Sequence, residues 1–121
     1  MADVTLDELR ERIGEEGLVL VDVRTPHEFA GVAGAPCDPR QGHIPGARNL
    51  PLDRLLQCAS VDEVRALVGL PEGAEVFAYC HSGNRSAFAV QILAAAGYDA
   101  RNYVGSWHEW SRHEDLPAGP Q

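Results

Sequence analysis

The stretch Leu18-Val19-Leu20-Val21-Asp22-Val23 constrains this chain most, because it is a near-continuous apolar run with β-branched residues. A strand with one wet face alternates polar with apolar residues, so an unbroken run expects cover on both faces. Such a strand needs a layered fold, and the rest of the chain supplies the layers. Helix-type patterns lie before and after it, and further strand-type segments fall at 47–50, 75–79 and 100–104. Strands alternating with helices predict an α/β sandwich with a mostly parallel central sheet, and 121 residues fit one domain, 1–121.

Local signals set the boundaries. Thr5-Leu6-Asp7-Glu8 and Ser60-Val61-Asp62-Glu63 read as capping boxes, predicting helices to about Glu16 and to near Gly69. Arg24-Thr25-Pro26 ends the first strand, and Pro26 opens a helical turn through Phe29. Residues 31–46 are rich in Gly and Pro and predict a loop. Another helix is expected from about Ser86 until Gly97 stops it, a short one from Trp107 to Arg112, and a loose tail from about Pro117 to Gln121.

Charge narrows the function. The net charge is -8 and every basic residue is an arginine. An acidic chain with no basic stripe is a poor match for nucleic acid or for an anionic membrane. No apolar run approaches the roughly 20 residues that span a bilayer. Met1-Ala2-Asp3-Val4 has no basic start or apolar stretch, so a cytoplasmic setting is expected. Cys37, Cys58 and Cys80 include no CxxC pair, which argues against a disulfide framework or a closed zinc site; no metal is expected.

One cysteine stands apart. Cys80-His81-Ser82-Gly83-Asn84-Arg85-Ser86 runs from a buried strand into a helix N-terminus. Gly83 permits a backbone conformation that other residues resist. A loop of this kind aims several backbone N–H groups at one point, and the helix dipole adds partial positive charge there. Both effects stabilise a thiolate at Cys80 and bind an anion, as does the guanidinium of Arg85. A thiolate beside an anion cradle suits nucleophilic attack on an anionic sulfur or phosphorus compound. Strands deliver such groups at their carboxyl ends, and Asp22-Val23-Arg24 ends a strand in the same way.

Four stretches together resemble the rhodanese family. They are the 80–86 loop; Leu20-Val21-Asp22-Val23-Arg24 with Glu28-Phe29; Gly42-His43-Ile44-Pro45-Gly46-Ala47-Arg48-Asn49-Leu50-Pro51; and Tyr103-Val104-Gly105-Ser106-Trp107-His108-Glu109-Trp110. The match spans about residues 4 to 117 and keeps the sequence order of the family's motifs. The resemblance implies a three-layer sandwich around a mostly parallel five-stranded sheet. It implies Cys80 as catalytic nucleophile, with His81, Ser82, Gly83, Asn84, Arg85 and Ser86 binding substrate and Asp22, Arg24 and Trp107 supporting the site.

The implied reaction takes the outer sulfur of a small anionic donor such as thiosulfate onto Cys80 as a persulfide. That sulfur then passes to a thiophilic acceptor, cyanide or a thiol, with no metal or organic cofactor. Mercaptopyruvate as donor and a sulfur relay to a protein acceptor are the alternatives. The two-domain thiosulfate enzymes share the long 31–41 loop, but they carry basic residues at the positions of His81, Ser82 and Glu28. A cysteine phosphatase or arsenate reductase would place five residues between Cys and Arg, where this chain has four. A non-catalytic binding module would usually lack the cysteine. Arg24 is expected to pair with Asp22 or Glu28, and His43 to hold a turn.

Overall fold

The computed structural model describes residues 3–119. Its elements follow the order α1 (Leu6–Arg12), β1 (Leu18–Asp22), α2 (Pro26–Phe29), β2 (Arg48–Asn49), α3 (Leu52–Leu56), α4 (Val61–Val68), β3 (Glu75–Tyr79), α5 (Asn84–Ala95), β4 (Asp99–Asn102) and α6 (Ser106–Trp110). The sheet order is β2-β1-β3-β4, and every pairing is parallel.

Among the described residues the sheet has four strands, where five were expected. Val4 makes a single parallel bridge to Tyr103 beside β4, its N–H donating to the carbonyl of Asn102 at 2.8 Å. The next residue, Thr5, already caps α1 through its side chain, so the chain turns into helix before a fifth strand can extend.

Side-chain alternation along the strands divides the interior in two. Val21, Val23, Val76, Ala78 and Cys80 point into an aliphatic core with Leu55, Val64, Val68, Ala89 and Leu93 from α3, α4 and α5. Leu20, Phe77 and Tyr79 point the other way, into an aromatic core with Leu9, Tyr103, Trp107 and Trp110. Burying each large apolar side chain contributes about 1.5–3 kcal/mol, so the two cores hold helices to both faces of the sheet.

Several boundaries move. α1 ends at Arg12, short of Glu16, and α5 begins at Asn84 because Gly83 is its N-cap. Ser60 and Gly69 bracket α4 as expected, with Gly69 left-handed at φ 71°. The complete reciprocal capping box belongs to Thr25 and Glu28 of α2. α3 carries no advance signal: its N-cap, Pro51, makes no side-chain hydrogen bond, and burial of Leu55 is what fixes it. Where a loose tail was expected, residues 117–119 are held. The Pro117 carbonyl accepts from the Trp110 indole at 2.7 Å, and Gly119 pairs with the backbone of His43. Pro120 and Gln121 lie outside the described residues, as do Met1 and Ala2. Among the described residues, no helix is long and apolar enough to cross a membrane.

Candidate active site

The chain runs from β1 to β2 on one side, then returns to build β3 and β4 on the other. The carboxyl ends of β1 and β3 therefore form the switch point where open parallel sheets hold their sites. Asp22 is in register with Tyr79 there, and the Val23 N–H donates to the Tyr79 carbonyl at 3.0 Å. Cys80 follows directly.

The Cys80 sulfur lies at the bottom of a cradle, and the residue is only 1% exposed. Its Sγ accepts from the Gly83 N–H at 3.1 Å and from the Ser86 hydroxyl at 3.3 Å. The cradle opens α5, twelve residues long, so the helix dipole points its positive end at the sulfur. Burial pushes the Cys80 thiol up. The Ser86 hydroxyl and the backbone N–H groups of Ser86, Ser82 and Gly83 outweigh that and hold it below its ordinary value.

The turn cannot be made by another residue. Gly83 has φ 95°, and a Cβ there would meet the Val104 carbonyl at 2.8 Å. The Gly83 carbonyl accepts from Asn102 Nδ2 at 3.1 Å. Ser106, left-handed at φ 57°, accepts from the Cys80 N–H at 3.1 Å, while the Trp107 N–H donates to the Cys80 carbonyl at 3.0 Å. The strained serine therefore ties the start of α6 to the nucleophile's own peptide groups. Neither Asn102 nor Ser106 was picked out from the sequence. The nearest signal was the Tyr103–Trp110 stretch, which marks a region and assigns no atom.

The expected anion-binding arginine is engaged. Arg85 holds the Glu28 carboxylate with both terminal nitrogens, at 2.8 and 3.1 Å. Burial pushes the Glu28 carboxyl up, but Arg85 and the Thr25 backbone hold it down to about 2. Arg24 pairs with Asp22 through Nε and Nη2 and also reaches the Gly42 carbonyl. The pair is 1% and 0% exposed. Arg24 lies over the rings of Tyr79 and Trp107, on the aromatic side of the sheet, whereas Cys80 belongs to the aliphatic side. Trp107 is fully buried, with its indole donating to the Arg40 carbonyl. Asp22, Arg24 and Trp107 thus brace the frame around the Cys80 strand end.

His43 has the expected turn role, stacked on Phe29 at 3.8 Å with Nδ1 against the Phe29 carbonyl. His81 faces Asp38: its Nε2 lies 2.9 Å from Asp38 Oδ2, in ion-pair contact but without a hydrogen bond.

The comparisons with known proteins agree with this geometry. The family model described as a rhodanese-like domain matches residues 5–113. A thiosulfate sulfurtransferase of Pseudomonas aeruginosa is 34% identical over 121 residues, covering 93% of this chain and 44% of that protein. A Thermus thermophilus sulfur carrier protein, TtuD, is 35% identical over 81% of this chain and 40% of its own length. A crystal structure of a probable thiosulfate sulfurtransferase superposes with a TM-score of 0.83 at 46% identity, covering 98% of this chain and 47% of that one. An anaerobic ergothioneine biosynthesis enzyme from Chlorobium limicola, 19% identical, shares the fold with a TM-score of 0.84, over 97% of this chain and 27% of that one. The chain thus spans less than half the length of these relatives. By sequence, fold and the cradle around Cys80, it belongs to the rhodanese-like domain family.

Proposed function

We propose that this chain is a sulfurtransferase that carries sulfane sulfur on Cys80. The observation behind this reading is the Cys80 sulfur, buried at the N-terminus of α5 and hydrogen-bonded by Gly83 N–H and Ser86 Oγ. In the reaction, the Cys80 thiolate attacks the outer sulfur of thiosulfate. The S–S bond breaks and sulfite leaves with the electron pair. The terminal sulfur of the new persulfide carries the negative charge and stays within reach of the cradle N–H groups. Attack on that sulfur by cyanide or a thiolate returns Cys80 as thiolate, a double displacement with no net redox change in the protein.

Backbone N–H groups dominate the binding of negative charge in this reading, because Arg85 is neutralised by Glu28 until a donor competes for it. A protein acceptor uses the same persulfide, and the likeness to a sulfur carrier favours it as the second reading. Three free thiols suit a reducing compartment, so the proposed setting is cytoplasmic.

Intact-mass measurement after incubation with thiosulfate tests the proposal. One added sulfur, about 32 Da, should appear on the 80–86 segment and disappear in Cys80→Ser. A panel of thiosulfate, mercaptopyruvate and a small persulfide then ranks the donors. A Cys80→Ser protein that still gains the mass or still turns over would sink the assignment.

A further inference from the structure

At the edge of the sulfur-transfer site, four side chains converge that make none of the hydrogen bonds to the Cys80 sulfur. Cys37 and Asp38 come from the 31–46 loop, His81 from the residue after the nucleophile, and His108 from α6. One ligand atom from each lies within 4.8 Å of all the others. The Asp38 side chain is 0% exposed, and its Oδ1 accepts from Arg112 at 2.8 Å. Its Oδ2 points at His81 Nε2, and both of these buried atoms lack a hydrogen-bond partner. A buried carboxylate oxygen with no hydrogen bond is costly, and a bound ion between it and the facing imidazole is one of the few ways to satisfy both.

The loop that brings Cys37 and Asp38 here is anchored by hydrogen bonds to the C-terminal segment. Arg40 donates to the carbonyls of Trp110, Ser111, His113 and Leu116 at 2.7–3.2 Å, and the Trp107 indole donates to the Arg40 carbonyl. Arg112 adds a bond to the Cys37 carbonyl at 3.0 Å. His81 and His108 are coupled too: the His108 N–H donates to the His81 carbonyl at 2.9 Å, and the rings meet edge to face at 5.5 Å. Three chain segments far apart in sequence thus present four donors side by side.

We propose that Cys37, Asp38, His81 and His108 form a tetrahedral site for a divalent cation of the zinc class. One thiolate, one carboxylate and two imidazoles suit zinc better than magnesium or calcium, which take oxygen ligands. Donors about 2.0–2.3 Å from a tetrahedral zinc lie roughly 3.3–3.8 Å apart, so the cluster needs to close by about 1 Å. The exposed Cys37 and His108 give the ion its way in, and the Cys37 thiol loses its proton on binding. The Cys37 thiolate and Asp38 together balance the ion's charge, while Arg112 stays on Oδ1 and leaves Oδ2 for the metal. No sequence motif marks the site, because it holds a single cysteine and its donors meet only through the loop fold.

Cobalt(II) titration of the full chain carrying Cys80→Ser, which removes the competing thiolate, tests the site. One cobalt per chain is expected, with the strong visible bands of tetrahedral geometry and thiolate-to-metal charge-transfer absorption. Zinc should displace it. Cys37→Ser should abolish the charge-transfer band, and His108→Ala should weaken binding by at least about tenfold, the loss expected even of an outer-sphere partner. Both residues are exposed, so these variants are expected to fold, and circular dichroism checks it. Octahedral cobalt spectra, or undiminished affinity in both variants, would overturn the proposal.

Discussion

Two arginine–carboxylate pairs flank the switch point, and they differ in burial and in what they can do. Arg24 and Asp22 are sealed beneath the aromatic core, at 1% and 0% exposed. Arg85 and Glu28 sit at the rim, at 38% and 17% exposed. A buried pair is tied to the fold, because neither partner can find water if the other is lost. A rim pair can exchange, and its arginine can trade a carboxylate for an incoming anion. Burial, more than charge, therefore separates the bracing arginine from the one available to substrate.

Arg24→Leu should show the largest effect. It strands the Asp22 carboxylate in the interior and should cost about 3–5 kcal/mol in chemical denaturation. Arg85→Ala should cost less than about 1 kcal/mol of stability yet raise the KM for thiosulfate roughly tenfold, or ~1.4 kcal/mol of anion binding. Equal stability losses in the two variants would erase the distinction. Glu28→Gln sharpens it, since freeing Arg85 should lower KM by at most about fivefold, the worth of an exposed pair.

The smallest effect concerns pH. The Glu28 carboxyl sits at about 2 in the folded chain, below the roughly 4.3 of an unfolded one. A lowered folded-state pKa stabilises above the unfolded value, so this contribution is complete above about pH 5 and is lost as pH falls toward 2. Glu28→Gln should therefore flatten the acid limb of the stability profile over that window, and Arg85→Ala should do nearly the same. Unchanged acid limbs would place the ion pair outside the folded-state energetics.

Much of this was legible in the sequence because it depends on neighbouring residues. The near-continuous 18–23 run marked a covered strand, Ser60 and Gly69 bracketed α4, and the step from Tyr79 through Gly83 placed the nucleophile at a helix N-terminus. What stayed hidden depends on residues distant in the chain. Arg85 read as a free cation because its partner Glu28 lies 57 positions away. Asp22 and Arg24 read as supports of the site, and their seat beside Tyr79, on the sheet face opposite Cys80, emerges only once both cores are packed. Ser106 reaches Cys80 across 26 positions, through a left-handed serine that no local pattern signals.

The central claim is that the neutral cradle, and not an arginine, makes the Cys80 thiolate. The pH dependence of iodoacetamide alkylation at Cys80, followed by peptide mass spectrometry, tests it most directly. Burial of the sulfur lowers the plateau rate, and thiolate stabilisation moves the midpoint. The midpoint should fall below the roughly 8.5 of an ordinary thiol, because the cradle N–H groups and the Ser86 hydroxyl hold the thiol down. It should rise in Ser86→Ala, which removes the hydroxyl bond, and hold steady in Arg85→Ala. A midpoint at about 8.5 or higher, or one that Arg85→Ala raises while Ser86→Ala leaves it alone, would contradict the account.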